Sequence, residues 1–246
     1  MQIDFYEEFP TRQNLGKLKL IKFKTRLFVA AKSLGEFQKI EKQVKKIKKN
    51  TDVAYWPLIE NSYWISPFSN TQDLIKTFKD LGRIKNSILI DLEFPRNNRM
   101  ILKNLLSFFG NKKIIRRFLI KNRKRVTVAE YSNPTKLALM KILGLNYWVD
   151  CDKSPMFYTS MKSHKEIKNT KKYLSGIKNK KQYAVSLGTI AIGIQGNEPI
   201  LSPKNLEKNL EFVEKVGFNK VIIFRLGGLN KKYLKILNKF AKEDAN

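Results

Sequence analysis

Eight short runs of apolar, β-favouring residues recur along this chain, and a stretch of helical periodicity follows each one. The runs fall at 3–6, 26–31, 52–56, 87–92, 125–129, 147–149, 182–187 and 220–225. After the second, Leu34, Phe37, Ile40, Val44 and Ile47 return at helical spacing. After the seventh, Leu206, Leu210, Val213 and Val216 do the same. Asn133-Pro134 and Ser202-Pro203 combine a capping side chain with proline at the first helical position, and Gly82, Gly144 and Gly217 punctuate helix ends. Strands separated by helices pair in parallel through crossovers. Eight such units in 246 residues predict a single-domain (β/α)8 TIM barrel spanning 1–246. The competing architecture is an open doubly wound sheet. No dinucleotide fingerprint and no Walker A motif is present, so the usual reasons for that sheet are missing and no cofactor is expected.

Composition narrows the setting. At 42% hydrophobic residues the chain can bury a sizeable core. It carries 49 basic and 21 acidic residues, a formal charge of +28. The basic residues are spread without an arm or tail, so host composition and attraction for an anionic partner both remain open readings. Cys151 is alone, which excludes an intrachain disulfide and a cysteine-based zinc cluster. No signal peptide and no apolar run of spanning length is visible, and a soluble cytoplasmic protein is the expectation. Nothing in the sequence sets the oligomeric state.

In a barrel, chemistry sits where the C-terminal strand ends converge. Seven of the 21 acidic residues fall at expected strand ends: Glu7, Glu8, Asp91, Glu93, Glu130, Asp150 and Asp152. The fourth run is the most suggestive. Residues 87–95 read SILIDLEFP, an apolar strand that ends in two carboxylates two residues apart, on one face, before Pro95 stops it. Asp91, Glu93, Glu130 and Asp152 are therefore expected on one rim as the catalytic set. Paired carboxylates are what glycoside hydrolysis needs. Tyr55, Trp56, Tyr63 and Trp64 offer faces on which a sugar could stack, with Phe68 nearby. Glu8, Lys32, Tyr131 and Arg225 complete the expected binding residues, Lys32 as an ion-pair partner or a Schiff-base nucleophile.

Residues 86–93 resemble the catalytic signature of the chitinase-like family 18 glycoside hydrolases, Asp-x-x-Asp-x-Asp-x-Glu on the fourth barrel strand. The last two acidic positions are Asp91 and Glu93, and the first two are Asn86 and Leu89. The resemblance implies that Glu93 is the general acid and Asp91 its orienting partner, in a TIM-barrel glycosidase-like protein acting on a small-molecule or glycan ligand.

Other chemistries have their own residues. His164 is the only histidine, so multi-histidine metal sites are excluded, whereas an all-oxygen Mg²⁺ or Mn²⁺ site from the same four carboxylates remains an option. Gly188, Gly193 and Gly196 after the seventh run, with Gly227 and Gly228 after the eighth, lie where many barrels bind phosphate, and this is the alternative function. A third reading is a barrel that binds a glycan or nucleic acid without catalysis. Nucleic acid would then contact the outer helices, because carboxylates at the mouth repel a polyanion.

Overall fold

The structure, a computed structural model, describes residues 1–241. Its first half runs β1 (Gln2–Glu7), α1 (Arg12–Gly16), β2 (Arg26–Ala31), α2 (Leu34–Ile47), β3 (Asp52–Pro57), α3 (Thr71–Leu81) and β4 (Ile88–Asp91). Two helices follow β4, the short α4 (Arg99–Lys103) and α5 (Phe108–Asn122). The second half runs β5 (Val126–Tyr131), α6 (Pro134–Ile142), β6 (Asp152–Phe157), α7 (His164–Gly176), β7 (Val185–Gly188), α8 (Pro203–Lys215), β8 (Lys220–Phe224) and α9 (Lys231–Phe240). All eight strands are parallel, and β1 pairs with both β2 and β8, so the sheet closes on itself.

Alternation along each strand builds two apolar layers. Inside the barrel lie Tyr6, Phe28, Trp56, Leu89, Ala129 and Ile222. Their neighbours Phe5, Val29, Tyr55, Ile90, Val128 and Ile223 point outward into the layer between sheet and helices. Each large apolar side chain buried this way contributes roughly 1.5–3 kcal/mol. Helix starts are set by side chains that accept otherwise orphaned N–H groups. Ser33 Oγ accepts from Glu36, and Asn70 Oδ1 accepts from Gln72 and Asp73. Ser163 and Glu166 form a reciprocal capping box at the start of α7, where His164 is the exposed first residue.

The sixth strand differs from expectation. Residues 147–149 are not a strand: Tyr147 is buried beside α5, donating its hydroxyl to Lys112 O, and Trp148 is exposed. The strand is Asp152–Phe157, which contains Pro155. Proline argues against a strand because it lacks an N–H. Here the ladder to β5 is continuous, whereas the ladder to β7 bridges at Lys153 and again at Met156 and skips Pro155. After β4 the sequence predicts helical material over about 98–109 and a second basic helical stretch over about 112–121; the structure has the short α4, a run of turns, and α5 starting already at Phe108.

One loop matters most for the site. Residues 58–70, between β3 and α3, are pinned from outside by the fully buried Asn111 of α5. Its Nδ2 donates to Pro67 O (2.9 Å) and Ser69 O (2.8 Å), and its Oδ1 accepts from Thr71 Oγ1 (2.8 Å). The loop then prolongs the barrel edge. Ile65 N–H donates to Asp91 O, and Glu93 N–H donates to Ile65 O. Asp91 pairs with Ala129 of β5 on its other side, so the strand end is held at both edges.

Candidate functional site

A cavity of roughly 310 Å³ opens at the C-terminal ends of the strands. Its floor carries Tyr6, Leu89 and Asp91, and Trp56 and Trp64 form one wall. Glu93, Tyr131, Tyr158, Glu8, Glu198 and Phe224 complete the lining, with the Tyr158 and Phe224 rings 5.8 Å apart. Period-two alternation accounts for the selection: Leu89 and Asp91 point inward from β4, and Glu93 continues that row beyond the strand end.

The carboxylates are crowded in a poorly hydrated space, and their proton affinities rise. Burial pushes Asp91 well above the usual carboxylate range, helped by the charges of Glu93 and Glu8. Glu93 is pushed up to about 7 by burial and then by Glu8, although the Tyr131 hydroxyl donates to it and favours the ionised form. Glu8 rises to about 6, again mainly through burial, against hydrogen bonds from Tyr63 and the Ile194 N–H. Tyr63 is held in the left-handed region at φ 70°, locked by paired backbone bonds to Ile59, and its hydroxyl donates to Glu8 Oε1 at 2.7 Å. Beneath the carboxylates the Tyr6 hydroxyl lies 3.0 Å from both Ser154 Oγ and Ser186 Oγ, and Tyr158 also bonds Ser186.

Four buried polar atoms here make no hydrogen bond within the protein: Glu8 Oε2, Asp91 Oδ1, Glu198 Oε2 and Trp56 Nε1. All four residues line the cavity, and three acceptors and one donor without partners suit a ligand rich in hydroxyl groups. At its edge Lys162 donates to Ser132 Oγ, Met156 O and Thr170 Oγ1, and burial lowers it to about 8.

Several expected site residues lie elsewhere. Glu130 points outward from β5, fully buried, where it pairs with Lys153 (3.2 Å) and accepts from the Tyr173 hydroxyl. Asp152 begins β6 and is exposed at the opposite rim, a consequence of the shifted strand. Asp150 is exposed just before it and accepts from Gln182. Tyr55 stacks on Phe37 of α2 (centroids 4.5 Å apart) in the outer layer. Lys32 is exposed, its N–H bonded to Glu36. Among the described residues no three histidine, cysteine or carboxylate side chains are placed to hold a metal ion, so the four-carboxylate arrangement is not formed.

The glycine loops hold an anion of the protein's own. Arg225 donates to Glu7 Oε1 (2.9 Å), and the Gly227 N–H donates to Glu7 Oε2 (2.6 Å). The Gly228 N–H is used by Arg225 O, and the Gly196 N–H by Gly193 O. Gly193 packs so closely that an added Cβ would lie 2.7 Å from Glu198 Oε1 and 2.8 Å from Glu8 Oε2. Gly188 ends β7 with φ 146°, its Cα directly against Phe224 O. Phosphate would meet carboxylates at these positions. Tyr158, Glu198 and Lys162 were not singled out in the sequence. A glutamate two residues beyond Gly196 was a visible signal against phosphate, whereas Tyr158 was hidden by the misplaced strand.

Solved structures share this architecture. The chain aligns over 98% of its length with 99% of a group IV chitinase from Ostrinia furnacalis, at TM-score 0.59 and 9% identity. It aligns over 95% of its length with 97% of a class V chitinase from Nicotiana tobaccum, at TM-score 0.56 and 9% identity. The barrel has the fold of these chitinases. The resemblance read from residues 86–93 thus extends, as fold, to nearly the whole chain. No family model and no curated protein matches the sequence.

Proposed function

We propose that this barrel processes a glycan, with Glu93 as general acid and Asp91 as its orienting partner. The observation that carries the reading is the Asp91–Glu93 pair itself: two adjacent inward carboxylates with raised proton affinity, in a cavity walled by Trp56 and Trp64. An acid near 7 is protonated often enough at neutral pH to donate to a leaving glycosidic oxygen. Burial and the charge of Glu8 disfavour loss of that proton, and Asp91 lies on the same face two residues away. Trp56 and Trp64 supply apolar faces for a sugar ring, and the unpaired Glu8, Asp91 and Glu198 oxygens accept from its hydroxyls. The chitinases of the same fold make chito-oligosaccharides the first substrates to assay.

Leu89 favours a second reading, recognition without turnover. It puts an apolar side chain beneath Asp91 where the resembling motif has a carboxylate. The experiment is Glu93→Gln, assayed on an oligosaccharide panel for hydrolysis and, by calorimetry, for binding. For a glycosidase, turnover falls by about 10²-fold or more while affinity is largely kept. Binding by the native chain without hydrolysis identifies the recognition reading. Hydrolysis that survives Glu93→Gln rules out Glu93 as the acid.

A further inference from the structure

The flank formed by α4, α5, α6 and their connections combines two properties that seldom coincide. Large apolar side chains stand in water there: Leu106 is 99% exposed, Trp148 81%, Leu102 79%, Phe109 72% and Ile142 67%. Leu102 lies in α4, Leu106 in the turns that follow it and Phe109 in the first turn of α5, so the three fall on one short stretch of the chain. A groove of roughly 480 Å³ between Phe109, Lys113 and Arg116 of α5 and Lys141 and Trp148 near α6 continues the surface. Lys141 Nζ lies 4.0 Å over the Trp148 ring, and Lys112 ties the elements together by donating to Ile142 O at 2.8 Å.

Charge on this stretch has one sign. Between Phe94 and Val149 the chain has thirteen Lys and Arg and one acidic residue, Glu130, which is buried against Lys153. Contiguous apolar exposure of this kind marks an interaction surface. Its chemistry selects the occupant. A second copy docked face to face would set Lys113 and Arg116 against the same cations. Single-stranded nucleic acid would match the charge and stack on Trp148, but it would leave Leu102, Leu106 and Ile142 in water. A bilayer carrying acidic headgroups satisfies both: leucines, phenylalanine and tryptophan enter the headgroup boundary while lysines and arginines meet anionic lipid. We propose that this flank docks the barrel on an anionic membrane surface. No helix among the described residues is long and apolar enough to cross a membrane, so the attachment is peripheral.

The test uses vesicles of phosphatidylcholine, alone or with roughly one-third phosphatidylglycerol, read by co-sedimentation and tryptophan emission. Trp56 and Trp64 are buried, so a blue shift reports on Trp148. The native chain should bind the anionic vesicles with a blue shift, and bind phosphatidylcholine at least about tenfold more weakly. Leu106→Asp with Phe109→Asp should lose about tenfold or more in partitioning, and Lys113→Glu with Arg116→Glu about fivefold per residue. These positions are exposed except where they meet lipid, and an unchanged melting temperature confirms folding. Binding that ignores Leu106→Asp/Phe109→Asp is adsorption by net charge and overturns the proposal, as does no binding at all. A dimer dissolved by Leu106→Asp would make the occupant a second copy. Dependence on these residues of oligonucleotide binding but not vesicle binding would make it nucleic acid. Either result also overturns it.

Discussion

Glu93 titrates near 7 because burial and the charge of Glu8 oppose its ionisation, and that shift couples the site to the stability of the fold. An acid whose folded pKa exceeds its ordinary 4.5 binds its proton more tightly in the native state. Its contribution to stability is complete below about 4.5 and is lost as pH rises through about 7. Glu8, near 6, acts with the same sign. The expected outcome is a lower melting temperature at pH 8 than at pH 5.5, with Glu93→Gln flattening the difference and gaining on the order of 1–2 kcal/mol at pH 8. Glycan hydrolysis should decline above pH 7 as the acid deprotonates. Glu130 makes the contrasting prediction. Glu130→Gln leaves Lys153 without its charge partner in the outer layer, so denaturant titration should read a loss of about 2–3 kcal/mol, with turnover unchanged. Asp91 and Glu93 were legible as a pair because a spacing of two fixes their common face. Glu130 and Tyr55 were not, because whether a residue faces the barrel interior depends on register with neighbouring strands, and one sequence does not display register.

At the level of elements, the strand–helix alternation was readable wherever β-branched runs and capping residues agreed. It failed at β6, where an aromatic triplet imitated a strand and Pro155 disguised the real one. The cost of that error was local in sequence but large in consequence, since it moved Asp152 from one rim of the barrel to the other and concealed Tyr158. The 58–70 loop is the element on which the cavity wall depends, and no sequence period reveals that α5 holds it. Asn111→Ala removes the two donors to Pro67 O and Ser69 O and leaves those carbonyls buried without partners. We expect a destabilisation of about 2–4 kcal/mol by chemical denaturation. Ligand affinity should weaken as well, because Trp64 loses its support. An unchanged affinity would mean that the Ile65 bonds to Asp91 and Glu93 position the loop alone.

Over the whole molecule, charge and cavity run in opposite directions: a formal +28 surrounds a mouth whose floor gathers carboxylates. Self-repulsion among surface lysines lowers the stability of the compact state and is screened by salt. The melting temperature should therefore rise by a few degrees between low and physiological ionic strength, which a scan in sodium chloride checks. The total charge was readable at once, but its segregation from the cavity was not, because it arises only when distant strand ends meet. Closure has a further consequence. β1 and β8 pair over five consecutive positions, and the Met1 amino group donates to Phe240 O. The first and last units are neighbours like any others, so chain order is not what holds the ring together. A circular permutant joined there by a short linker and opened at Lys178–Asn179, in the exposed turn before β7, should form the same barrel and keep its ligand.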